Sequence, residues 1–118
     1  MKLALAQLEI EPAARDENLE RALTAIESAA SDGADLVILP ELFSVGYFAF
    51  DSYARAAESL VGPTLERLRE TAVEQEVALL AGSVVEDLAE TAAETDVPVP
   101  AGEGLANTAV LFDSEGER

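Results

Sequence analysis

Apolar positions along the chain follow two different periods. A short apolar run, Leu3-Ala4-Leu5-Ala6, lies between Lys2 and Gln7 and predicts a strand. Beyond Pro12 the spacing changes. Leu19, Ala22, Leu23, Ile26, Ala29 and Ala30 recur at helical intervals and form one stripe. Asp16 or Asn18 is placed to cap that helix and Gly33 to end it, with Glu17 and Arg21 paired on its solvent side. Leu36-Val37-Ile38-Leu39 is continuous rather than alternating, the pattern of a strand covered on both faces. Strand, helix and strand in that order predict a right-handed crossover with parallel pairing.

The stretch from Phe43 to Tyr53 reads as an aromatic-rich loop around Gly46. Gly62-Pro63-Thr64 opens a second helix with inward positions Leu65, Leu68 and Ala72. Val77 to Val85 predicts a third strand, interrupted at Gly82, and Asn107 to Phe112 a fourth. Between them, residues 87–104 carry Asp87, Glu90 and Glu94 and then Pro98, Pro100, Gly102 and Gly104. They are expected to form an acidic, Pro/Gly-containing surface excursion. Asp113-Ser114-Glu115-Gly116 is a turn signal that ordinarily feeds a returning strand, yet the sequence reaches only Arg118. A frayed terminus and a cut within a longer protein are both consistent with it.

Composition narrows the class. A chain of 118 residues with 49% hydrophobic content suits one α/β domain. The apolar opening is too brief for a secretory leader, and no run approaches the ~18 apolar residues of a membrane span. The expected location is cytoplasmic. Cysteine and histidine are absent, which removes disulfides, a thiol nucleophile and the commonest metal ligands. Asp plus Glu number 24 against 7 Lys plus Arg, a net charge of −17. That surface argues against nucleic-acid and anionic-membrane partners. Scarce lysine, abundant alanine and dispersed acids resemble proteins of a high-salt cytoplasm, with a halophile as the expected source.

The richest stretch for chemistry is Asp35 to Phe43. A buried strand runs into Pro40, and Glu41 follows at its carboxyl end, the edge where open α/β sheets bind ligands. Aromatic walls that exclude water would raise the proton affinity of Glu41 and suit it to general-base work. Ser44 lacks the surroundings of an activated nucleophile. Tyr47 and Tyr53 either touch a ligand or pack over the sheet edge. Gly82-Ser83 marks backbone approach or tight packing. Glu86 and Asp87 read as solvated acids, and Asn107 as a residue that caps or orients a turn. The sequence has no phosphate loop, dinucleotide fingerprint or metal-ligand cluster.

From Glu41 outward the sequence resembles the nitrilase superfamily, the carbon–nitrogen hydrolases. The resemblance runs from Lys2–Gln7 and Asn18-Leu19 through Ala34–Phe43, Gly46-Tyr47, Gly62-Pro63, Ala81-Gly82-Ser83 and Asn107-Thr108-Ala109-Val110. It implies an α-β-β-α sandwich, of which residues 1–118 are the N-terminal part, incomplete. It also implies a Glu-Lys-Cys mechanism on an amide or nitrile, without metal or organic cofactor. Glu41 is the implied general base, and Phe43 and Tyr47 are the candidates for substrate contact. The family lysine and cysteine match no residue here, so the chain alone is expected to be inactive. The implied partners are a small amide or nitrile substrate once the site is complete, and either a second copy or the missing C-terminal portion. A short non-catalytic subunit that assembles through an open sheet is the alternative from another class. An acidic cation-binding protein is a third reading that no ligand cluster motivates.

Overall fold

The computed structural model describes residues 1–118. The first apolar run forms β1 (Leu3–Leu5), shorter than expected, and the helical stripe forms α1 (Arg15–Ser31). Neither Asp16 nor Asn18 caps α1, because the helix begins earlier, with Ala14 at its N-cap. Asn18 is instead 1% exposed and ties two loops together. It donates to the carbonyls of Glu11 (2.8 Å) and Ser44 (2.9 Å) and accepts the Glu11 N–H at 2.9 Å. Arg21 pairs with Glu11 at 2.9 Å, not with Glu17, because the preceding loop folds back over it. Gly33 ends α1 as expected. At φ +85° it allows the Gly33 N–H to reach Ala30 and the Ala34 N–H to reach Ala29, which satisfies two terminal carbonyls.

After β2 (Leu36–Ile38), the second half of the expected aromatic loop folds as a short helix, α2 (Phe50–Ala56). Helix α3 (Pro63–Glu74) starts with Gly62 at the cap and proline in its first turn. It ends in the same double carbonyl capture as α1, with Glu76 rather than glycine in the left-handed position. Strand β3 (Ala78–Asp87) follows, then α4 (Leu88–Glu94) and β4 (Leu105–Phe112). The segment 87–104 is therefore only partly an exposed excursion. Asp87 accepts the Glu90 N–H at 3.1 Å and caps α4, whose Leu88 and Thr91 are buried.

The four strands lie in the order β1-β2-β3-β4. The first three are parallel, as the strand–helix–strand order predicts, and β4 runs antiparallel to β3. Ala81 pairs with Val110 and Val84 with Thr108, so β3 carries one extra residue in between, a bulge. The bulge moves the inward alternation from Leu79 and Ala81 to Val84 and Glu86. Helices α1 and α3 cover one face of the sheet. Ala22, Leu23, Ile26, Leu65, Leu68 and Ala72 meet Val37, Leu79, Ala81, Val110 and Phe112 in a single core. The other face lacks such a cover: only the short α2 reaches it, through Tyr53 and Ala56 against Val85. Leu36 and Ile38 are only half-buried there, so β2 is not sealed on both sides as its continuous pattern suggested.

Candidate active site

Glu41 follows Pro40 at the carboxyl end of β2, where the chain turns sharply. Leu42 adopts φ +49°, a conformation sparsely populated for side chains of this size. Its carbonyl accepts the Gly46 N–H at 2.8 Å, and its own N–H donates to the Ser83 hydroxyl at 3.1 Å. The turn therefore directs Phe43 inward and leaves the Glu41 carboxylate facing out.

Both oxygens of that carboxylate are held. The Tyr47 hydroxyl donates to Oε2 at 2.8 Å, and Asn107 Nδ2 donates to Oε1 at 2.7 Å. These bonds favour the charged form. The Tyr47 donor first and the Asn107 donor second hold the Glu41 carboxyl below its ordinary range, against a smaller opposing effect of desolvation. The same contact raises the Tyr47 phenol, because a phenolate would forfeit the hydrogen bond to Glu41 and, secondarily, lose solvation and repel the carboxylate. Aromatic burial was expected to raise the proton affinity of Glu41. The structure reverses that expectation: the side chain is exposed, and hydrogen bonding outweighs desolvation.

A cavity of about 360 Å³ opens beside this carboxylate. Leu42, Val85 and Leu105 form its apolar floor, and the aromatic side chains form a wall. Tyr47, Phe48, Phe50 and Tyr53 pack in succession at ring separations of 6.3, 5.9 and 5.6 Å. Tyr53 anchors the wall by donating to the Gly46 carbonyl at 3.2 Å. Glu41 is the only charged lining group. Another hollow, lined by Arg15, Asp16, Glu17 and Arg55 between α1 and α2, does not include Glu41.

The other residues singled out from the sequence are placed as follows. Tyr47 lines the cavity, but Phe43 does not. Phe43 is fully buried in the main core, because alternation through the turn points it under the sheet rather than toward solvent. Ser44 is buried and lies outside the cavity. Glu86 is not a solvated acid. It is 5% exposed and accepts the Thr108 hydroxyl at 2.7 Å on the covered side. Asn107 and Ser83, read from sequence as turn and packing residues, meet across β3 and β4. The signal for Ser83 was the Gly82 interruption in an otherwise apolar strand. No group of three or more acidic side chains is arranged to hold a metal ion, and no helix is long and apolar enough to cross a membrane.

The family model described as carbon-nitrogen hydrolase matches residues 2–118. Omega-amidase NIT2 of Mus musculus is 36% identical over 81 residues, covering 67% of this chain and 28% of the mouse protein. An (R)-stereoselective amidase of Pseudomonas sp is 35% identical over 80 residues, covering 68% of this chain and 29% of its own length. Among solved structures, Nit3 of Saccharomyces cerevisiae, a member of branch 10 of the nitrilase superfamily, superposes with a TM-score of 0.78 at 26% identity. The match covers 99% of this chain and 41% of Nit3. An amidase from Nesterenkonia sp. gives a TM-score of 0.69 at 31% identity, covering 99% and 40%. The four-stranded sheet and its helices thus match the nitrilase fold, and the chain spans about two fifths of those solved chains. In one structure of the Nesterenkonia amidase, acrylamide has added to the active site cysteine. The chain described here contains no cysteine.

Proposed function

Because this chain belongs to the carbon–nitrogen hydrolase family, we propose that it supplies the general base, Glu41, and one aromatic wall of an amide- or nitrile-hydrolysing site. The observation that carries this reading is an ionised carboxylate at the carboxyl end of β2, bordered by an apolar cavity and held by two donors. In the proposed reaction Glu41 takes the proton of a cysteine thiol supplied from outside these 118 residues. The thiolate attacks the amide carbon, and a lysine from the same source stabilises the developing oxyanion. The nitrogen takes the proton held by Glu41 and leaves as ammonia or an amine, and water hydrolyses the thioester. Tyr47 and its aromatic neighbours enclose the apolar part of the substrate. The chain alone lacks the nucleophile and is inactive in this reading. Its acidic surface suits concentrated salt, where self-repulsion is screened over about 3 Å at 1 M.

The test is a graft. Replacing the corresponding segment of the Nesterenkonia amidase with this chain should give a protein that releases ammonia from a simple neutral amide. Glu41→Gln in the graft should lower turnover by roughly 10²–10⁴-fold, the usual worth of a positioned base. A graft that turns over equally well with glutamine there would refute the assignment, as would ammonia release by the 118-residue chain alone.

One observation favours a second reading, assembly without catalysis. Leu3, Leu5 and Leu111 are exposed together on the sheet face opposite α1 and α3. A defined oligomer in analytical ultracentrifugation, joined through that face, would support it.

A further inference from the structure

Glu41 is exposed, so packing does not fix its side chain; its orientation depends on its hydrogen bonds. One donor, Tyr47, stands on an exposed loop. The other, Asn107, could present either end of its amide, because oxygen and nitrogen occupy nearly the same shape. With Oδ1 toward Glu41, two acceptors would face each other. The residue that selects the opposite orientation is Ser83, which lies in the β3 bulge and is 4% exposed.

The selection rests on where the Ser83 hydroxyl hydrogen goes. The Leu42 backbone N–H can only donate, and it donates to Ser83 Oγ at 3.1 Å. Ser83 keeps one hydroxyl hydrogen, and it donates that hydrogen to Asn107 Oδ1. With Oδ1 engaged, Asn107 must turn Nδ2 to Glu41 Oε1, where it sits at 2.7 Å. The path begins at the backbone of residue 42 and returns to the side chain of residue 41. It crosses β3 and β4 on the way.

We propose that Ser83 and Asn107 form a positioning relay for Glu41, in which Oε1 is the held oxygen and Oε2 the one that accepts a proton. Oε2 has only the Tyr47 hydroxyl, carried on a surface loop, to release before it meets a thiol. Asn107 reaches Glu41 directly, whereas Ser83 acts only through Asn107. The bulge at β3 has a function in this account. Its extra residue brings a buried hydroxyl between Leu42, just beyond β2, and Asn107 on β4, where regular pairing would place a ladder residue. The proposal rests on the reading of Glu41 as a base, but it concerns orientation and can be tested separately.

The experiment is a carbon-detected titration of the Glu41 side-chain carboxyl in the 118-residue chain. The other ionisable groups bordering the cavity are Tyr47 and Tyr53. The Tyr47 phenol is raised, away from the acid range of the titration. Asn107→Leu should move the Glu41 titration upward. Ser83→Ala should also move it upward although Ser83 touches neither carboxylate oxygen, and Ser83→Thr, which keeps the hydroxyl, should restore it. Val37→Ala, a core change remote from the relay, should leave it unmoved and so separates positioning from general destabilisation. An unchanged titration in both Asn107→Leu and Ser83→Ala overturns the relay. A shift in Asn107→Leu alone overturns the role of Ser83. If Ser83→Ala does not fold, Asn107→Leu, at an exposed position on β4, still decides whether Oε1 is held. An inactive graft leaves this titration readable, and a graft that stays active as Glu41→Gln removes the base assignment without altering it.

Discussion

The two faces of the sheet are built from similar strands and end differently. Beneath α1 and α3, Val37, Leu79, Ala81, Val110 and Phe112 are sealed in one core. On the opposite face Leu3, Leu5 and Leu111 are exposed at 50%, 72% and 55%. Asn107, Leu105 and Val85 share that second face, and with Glu41 they border the cavity. On the covered side the inward positions are apolar and set by volume and by exclusion of water, the Glu86–Thr108 pair excepted. On the other side those constraints are relaxed at Glu41, Tyr47 and Asn107, which are exposed and bond one another. The chemistry sits where the burial requirement stops.

The largest test of this contrast is Phe112→Ala. Removing a completely buried aromatic should cost about 3–5 kcal/mol of stability, read by urea denaturation. Next in size is Asp87→Ala. Losing the cap of α4 should cost about 1 kcal/mol, which would show that the segment after β3 is an ordered part of the domain. Leu111→Ala, one residue from Phe112 but on the open face, should change stability by less than about 0.5 kcal/mol. If it costs as much as Phe112→Ala, the open face is buried in solution and the two faces are not different in kind.

The smallest effect is on the acid side and tests the site itself. The folded-state value of Glu41 is lowered from the ordinary 4.5. Its contribution to stability is therefore present above that value and lost as pH falls through the lowered one. Glu41→Gln should make the loss of stability on acidification shallower, measured as denaturation midpoints across that range. Identical acid limbs for the two proteins would mean that the Tyr47 and Asn107 bonds do not persist in solution. The raised Tyr47 phenol acts in the opposite sense. Its contribution is present below the ordinary 10.0 and lost as pH rises through its folded value.

The elements most legible in the sequence are those fixed by local chemistry. The stripe from Leu19 to Ala30 gave α1, Gly33 its end, and Gly62-Pro63 the start of α3. The strand–helix–strand order implied parallel pairing, which β1, β2 and β3 show. Misreadings fall where a distant partner decides. Asn18 has the composition of a cap, yet it is occupied by the carbonyls of Glu11 and Ser44. Arg21 has a neighbour at helical spacing and binds Glu11 instead. Glu86 looks like one more surface acid and is buried under Thr108. Phe43 shares a loop with the cavity aromatics, but the turn at Leu42 sends it into the core.

The sequence by itself determined the family, the helix and strand types and the position of Glu41 at a strand end, because propensity, periodicity and motif spacing are local properties of the chain. Only the tertiary structure decided the electrostatic state of Glu41 and the company it keeps. Tyr47, Ser83 and Asn107 lie up to 66 residues away along the chain. A hydrogen bond depends on distances of a few tenths of an ångström that no spacing in the sequence encodes. The sign of the Glu41 shift followed from that geometry: aromatic neighbours suggested desolvation, while the folded chain placed two donors on an exposed carboxylate.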